Sequence, residues 1–272
     1  MKKVLKKILF IRRALDFIMA TRYFNKKYFQ IFKWTLSSKE DTNFTYDLTD
    51  KNNLELLKTI ESCLNVPFEQ LKKYLDEILN DHDLKEFIRK KINTSDFKNY
   101  ADDHICFSRR VGWYIIVRLL KPKVLIETGV DKGMGSVVLC AALLRNKEEG
   151  YLGRYYGTDI NKNAGYFLDG KYLDVGEIIY GDSITSLKKF DKMIDIFIND
   201  SDHSPIYEYE EYITIKNKLS PKALILGDNS HETDKLLKFS IENRRNFILF
   251  REEPKDHWYP GAGIGISFPN KK

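Results

Sequence analysis

The chain has 272 residues, 43% hydrophobic and 31% charged, which is enough apolar material for a large core and excludes wholesale disorder. No run reaches the ~18 consecutive apolar residues of a membrane-crossing helix. Three scattered cysteines, Cys63, Cys106 and Cys140, exclude a disulfide scaffold and point to a reducing, cytoplasmic setting.

The net charge of +6 is concentrated at the start of the chain. Residues 1–36 carry ten Lys/Arg and one acid, Asp16, whereas the remaining 236 residues hold 35 basic and 38 acidic side chains. A body of that balance is not a nucleic-acid-binding surface. Within 1–36, Leu5, Ile8, Leu9, Leu15, Ile18 and Met19 recur at helical spacing between basic residues, and Phe24, Tyr28, Phe29, Phe32 and Trp34 follow. Two readings of this segment stand side by side. A basic amphipathic helix can lie on a membrane, here the inner face, with its lysines on anionic head groups. Alternatively it packs on the body or on a second copy in a homo-oligomer. Asp16 and the late aromatic cluster interrupt a clean lipid-facing stripe and favour packing.

Residues 37–111 read as a helical region without chemistry. Leu54, Leu57, Ile60 and Leu64 make one stripe, Leu71, Leu75, Ile78 and Leu79 a second, and Phe87, Ile88 and Ile92 continue it. His82, between two aspartates, reads as a solvated loop residue. Arg109, Arg110 and Trp113 lead into an apolar helix over 114–120.

Composition shifts at Pro122, and all but one of the 15 glycines lie beyond residue 128. Strands are predicted at 124–128, 155–159, 177–180, 194–198, 223–227 and 247–251. Helices are predicted at 134–144, 183–190, 207–219 and 232–243. This alternation predicts a Rossmann-like, doubly wound α/β sheet over 112–272. Residues 263–268 alternate as a last strand, with an aromatic loop before it. Ligands of such sheets bind at the carboxyl ends of the strands.

The first strand ends in Glu127-Thr-Gly129, followed by Gly133, Gly135 and Ser136. The spacing is not the G-x-G-x-x-G of dinucleotide sites, which counts against the alternative of an NAD(P)-dependent reductase. An acid at this turn repels a pyrophosphate and suits a ligand with a positive group, such as the amino group of a methionine moiety. The glycines are expected to permit a tight turn and a close ligand. Asp159, at the second strand end, can accept two ribose hydroxyls. Asp182 can accept from an adenine amino group, and it or Ser183 can cap the next helix. The fourth strand ends in Asp200-Ser201-Asp202-His203 and the fifth in Asp228-Asn229. Their three hard oxygen ligands, Asp200, Asp228 and Asn229, suit Mg²⁺, with Asp202 or His203 taking a proton.

These motifs, in this order, resemble the class I S-adenosylmethionine-dependent methyltransferases. The closer likeness is to the bacterial macrocin-type and sugar O-methyltransferases of glycan and natural-product assembly. The resemblance spans about 114–268 and leaves 1–110 outside. It implies a fold whose last strand is antiparallel. It implies that Glu127, Gly129, Gly133 and Ser136 bind the methionine part of the cofactor, Asp159 its ribose, and Asp182 and Ser183 its adenine. Asp200 lies beside the cofactor, and Asp200, Asp228 and Asn229 fall at the metal positions of the metal-dependent members. The acceptor it implies is a hydroxyl of a small molecule or glycan intermediate. A non-catalytic, membrane-attached scaffold is the contrasting reading, and the intact acids argue against it.

Overall fold

The computed structural model describes residues 9–40, 43–202, 204–228 and 230–270. The strands are β1 (Val124–Thr128), β2 (Arg154–Asp159), β3 (Gly176–Tyr180), β4 (Ile194–Asn199), β5 (Leu219–Gly227), β6 (Arg245–Arg251) and β7 (Gly263–Pro269). They form one sheet in the order β3-β2-β1-β4-β5-β7-β6. The first five are parallel, and β7 runs antiparallel to both β5 and β6. The expected Rossmann-like sheet with an antiparallel last strand is therefore present.

Side chains alternate across the strands, and the alternation divides the core. Leu125, Ile196, Ile198, Leu224 and Leu226 face one cluster. Ile126, Phe197 and Ile225 face the other. With both faces covered by helices, the central strands need continuous apolar runs, as in the fully buried Val124–Thr128.

The helices are α1 (Leu9–Ser37), α2 (Asp50–Leu64), α3 (Phe68–Leu79), α4 (His82–Asn93), α5 (Arg110–Leu120), α6 (Met134–Glu148), α7 (Ser183–Lys189), α8 (Pro205–Ile215) and α9 (Lys235–Glu242). The apolar stripes of α2, α3 and α4 join the same core cluster as α5, α6 and the sheet. At the contact of α2 with α5, a Cβ on Gly112 would lie 3.1 Å from Leu56 Cδ1. Buried Arg118 of α5 adds a polar clasp, donating from Nε to Glu77 of α3 at 2.6 Å and from Nη2 to Glu149 at 2.6 Å.

Three local expectations change. His82 is exposed but opens α4, with Asp81 as the cap accepting from Leu84 N at 2.9 Å. The helix expected over 207–219 stops at Ile215. β5 begins four residues early because its register on β4 shifts between Ile194 and Ile196. That irregularity accommodates Pro221, which cannot donate to a regular ladder.

Candidate active site

Four carboxyl ends of the sheet, those of β2, β1, β4 and β5, are stitched side by side. Gly129 N donates to Thr158 O, Asp200 N to Thr128 O, and Asp228 N to Asn199 O, all at 2.9 Å. A cleft of about 950 Å³ opens above them, at the upper end of the ~300–1,000 Å³ typical of small-molecule sites. Glu127, Gly129, Asp159, Asp182, Ser183, Asp200, Asp202 and Asp228 all line it. Residues read one at a time along the chain thus converge on one site. His203 and Asn229 lie outside the described residues.

Glu127 is 1% exposed. It accepts from Tyr155 Oη and, at 3.3 Å, from Ser136 Oγ. Burial pushes its carboxyl up to about 7, although hydrogen bonds from Tyr155 and Ser136 and the nearby Arg110 charge pull the other way. Ser136 is fully buried and, unlike its expected role, is not in the cleft wall; it holds Glu127 instead. A cationic ligand at Glu127 favours the ionised form, so binding below about pH 7 expels a proton. Affinity for a ligand bearing an ammonium group is therefore expected to fall as pH drops below that value, by up to about tenfold per unit. Calorimetry with S-adenosylhomocysteine from pH 6 to 8 checks this, and Glu127→Gln should flatten the profile.

The glycines after β1 sit close to other parts of the protein, and Gly129 and Gly135 also line the cleft. A Cβ on Gly129, whose φ is +79°, would lie 2.0 Å from Asp200 O; one on Gly135 would lie 2.1 Å from Glu127 Oε1. A Cβ on Gly133 would meet Gly165 Cα at 3.0 Å. These positions bring strand ends, a buried carboxylate and a neighbouring loop close together. Gly181 also lines the cleft, and a Cβ there meets nothing within 4 Å.

Asp159 braces the turn, its Oδ2 accepting from Val130 N at 3.0 Å and Asp131 N at 2.9 Å. Its Oδ1 accepts from Asn161 N at 2.8 Å, and a carboxylate oxygen has room for a second donor. Asp182 caps α7 through Thr185 N at 2.7 Å and accepts from Tyr207 Oη at 2.6 Å. The capping reading and the place in the cleft both hold for this residue. Beneath, Glu211 collects Ser183, Asn199 and, at 3.0 Å, Thr128, which fixes the ends of β1 and β4 to α8.

The reactive end contains a residue that sequence reasoning passed over. Arg109 forks onto Asp228, with Nε on Oδ1 and Nη2 on Oδ2 at 2.8 Å. Its Nη1 donates to Tyr46 Oη at 3.3 Å and lies 3.6 Å from Glu252 Oε1. Burial raises Asp228, but the Arg109 charge and the hydrogen bonds from Asp200 and Arg109 outweigh it and hold the carboxyl below its usual value. Asp200, desolvated and beside that negative charge, is raised well above the carboxylate range. The two carboxyl groups are thus pushed in opposite directions. A signal for Arg109 did exist: two arginines at a helix N-terminus oppose the helix dipole, and no acid offsets them in the first turn of α5.

This geometry does not fit the expected Mg²⁺ site. Both oxygens of Asp228 face a guanidinium, which already supplies the positive charge. Among the described residues, three metal-type donors come together at Asp47, His104 and Cys106, away from the cleft wall. The cleft wall also includes Asn43, Arg110, His231, Glu232 and Tyr259. Tyr259 comes from the aromatic loop before β7.

A family model described as a methyltransferase domain matches residues 126–230, from β1 to just past β5. Against curated proteins the sequence finds no match. Among solved structures, cofactor-bound Rv0187 from MTB is similar with a TM-score of 0.51 at 12% identity, over 73% of this chain and 96% of that one. The SAH-bound methyltransferase PaMTH1 of Podospora anserina gives 0.49 at 18% identity, over 74% and 95%. The O-methyltransferase TomG of Streptomyces achromogenes gives 0.47 at 12%, over 83% and 100%. At such identities likeness speaks to the fold alone. The family match thus covers the strands at whose carboxyl ends the cleft opens.

Proposed function

We propose that the cleft binds S-adenosylmethionine and that the protein methylates a hydroxyl of a small, polar, sugar-like acceptor. The observation that carries this is the buried Glu127 carboxyl at the end of β1, in the wall of a cleft that the methyltransferase family match spans. Other features fit the cofactor. Thr158 Oγ1 is buried without a partner on the cleft wall. Ile160 is 80% exposed there, beside Asp159, where an apolar side chain would cover a base.

When bound, the cofactor supplies an electrophilic methyl group on a sulfonium. The chain's own residues do the rest. Glu127 takes the ammonium, while Asp159 and Asp182 retain accepting capacity for ribose and adenine. Asp200 lines the cleft beside Asp228 and Arg109. Asp202 is exposed in the cleft wall with Oδ1 accepting from Ser204 N at 2.7 Å; its other oxygen takes the acceptor's proton, a role His203 shares as a candidate. The polar wall of Asn43, Arg110, His231 and Glu232 suits a polyhydroxylated acceptor better than a flat apolar one.

Titration with S-adenosylhomocysteine tests the reading. Wild type should bind, and Glu127→Ala should weaken binding about 10- to 100-fold, the loss of one charge-assisted acceptor. An unchanged affinity would refute the assignment. Because Arg109 supplies the positive charge at Asp228, turnover should persist in EDTA; its abolition, with recovery on adding Mg²⁺, would restore the metal reading.

A further inference from the structure

The helix α1 (Leu9–Ser37) docks on the body through Trp34 and Lys27. Trp34 packs edge-on against His257 with ring centroids 5.2 Å apart, and Lys27 Nζ donates to His257 O at 3.5 Å and Tyr259 O at 3.3 Å. At ~100° per residue, Trp34 and Lys27 lie within about 20° of each other around the helix. Asp16 falls at the same azimuth as Trp34. The acid that interrupts the apolar pattern in the sequence is therefore on the docked side.

The opposite side is apolar and open to solvent. Phe10, Phe17, Tyr28, Phe29, Phe32 and Leu36 are each 61–82% exposed and fall within an arc of about 120°. From Phe10 to Leu36 the face runs ~39 Å at ~1.5 Å per residue. Thr21, Asn25 and Thr35 share this arc, but exposed rings gathered on one side over this length, beyond the scatter ordinary for surface apolar residues, mark an interaction surface. Exposed basic residues border it: Arg22, Lys26 and Lys33 along one edge and Arg13 along the other. No helix among the described residues is long and apolar enough to cross a membrane.

We infer that this face of α1 is an anchor that lies in the plane of an anionic lipid surface. Charge decides between lipid and a second copy. Two such helices paired through their apolar faces would bring basic borders together, with Asp16 turned away on the docked side of each. Anionic head groups would instead meet those borders while the aromatic rings enter the acyl boundary. The long Lys and Arg stems reach outward from the edge of an apolar face without burying their charges.

The test is co-sedimentation of the full chain with vesicles of phosphatidylcholine containing about one quarter phosphatidylglycerol. The protein should pellet with them at about 0.1 M salt, release as salt rises, and stay in solution with pure phosphatidylcholine. Replacing Arg22, Lys26 and Lys33 by Gln should weaken binding about fivefold per charge removed. Phe29→Ser with Phe32→Ser should abolish it. Both variants should keep wild-type affinity for S-adenosylhomocysteine, which separates loss of anchoring from loss of fold. Failure of the wild type to bind anionic vesicles at low salt would overturn the inference. So would unaltered binding by the Phe29/Phe32 variant, or a dimer in solution that this variant converts to monomer while wild type ignores the vesicles.

Discussion

Replacing Arg109 by Met is expected to cost about 3–5 kcal/mol of folding stability, since removing one partner of a buried ion pair leaves an uncompensated charge. Arg109 and Asp228 are each 7% exposed, and Glu252 on the other side of the guanidinium is fully buried. The variant therefore strands two carboxyl groups at once. Denaturant unfolding should show the loss, and thermal unfolding a fall of roughly 10 °C. Arg109→Lys should recover little, because an ammonium cannot fork across both oxygens of Asp228. The deficit should depend on pH with a definite sign. Asp228 is held below its usual value in the fold, so its contribution is present above the unfolded value of about 4. It is lost as pH falls through the folded value. The gap between wild type and Arg109→Met should thus be widest near neutrality and narrow in acid. A loss below about 1 kcal/mol at pH 7, within the range of exposed ion pairs, would mean that Arg109 does not hold the site together.

Asp202→Asn should lower kcat by about 10²–10⁴, the usual contribution of a positioned general base, while leaving affinity for S-adenosylhomocysteine unchanged. The split matters because Asp202 is exposed and makes one described hydrogen bond, to the backbone of Ser204. A structural role would show in stability rather than in kcat. A small effect from Asp202→Asn combined with a large one from His203→Ala would move the proton to His203. Small effects from both would require the proton to leave by way of the Asp200–Asp228 pair.

Alternation of β-branched and apolar runs with helical stretches was enough to place seven strands; the reversal of the last one was implied only by the resemblance. That period depends only on which faces must be buried. The acids at the strand ends were legible for a similar reason. Chain direction puts every parallel strand's carboxyl end on one edge, so Glu127, Asp159, Asp182, Asp200 and Asp228 had to converge. Neither pattern nor direction says what a side chain will touch across the fold. Gly129 reads as a turn glycine and Gly133 and Gly135 as ligand-approach glycines. The sequence does not say that they also abut the Asp200 backbone, the Gly165 loop and the Glu127 carboxylate. Ser136 similarly supports Glu127 from behind.

The charge partner of Asp228 was the hardest feature to foresee, because Arg109 lies 119 residues away. Three oxygen ligands in sequence imply a cation, and tertiary structure decided that this cation is a guanidinium brought in by α5. The N-terminal helix shows the same division. Its basic, aromatic composition was plain from the sequence, as was its helical period. The docked side was fixed by Trp34 and Lys27 meeting residues more than 220 positions away, His257 and Tyr259. Local periodicity defines the faces of an element, but only long-range packing selects which face is buried and which is left for a partner.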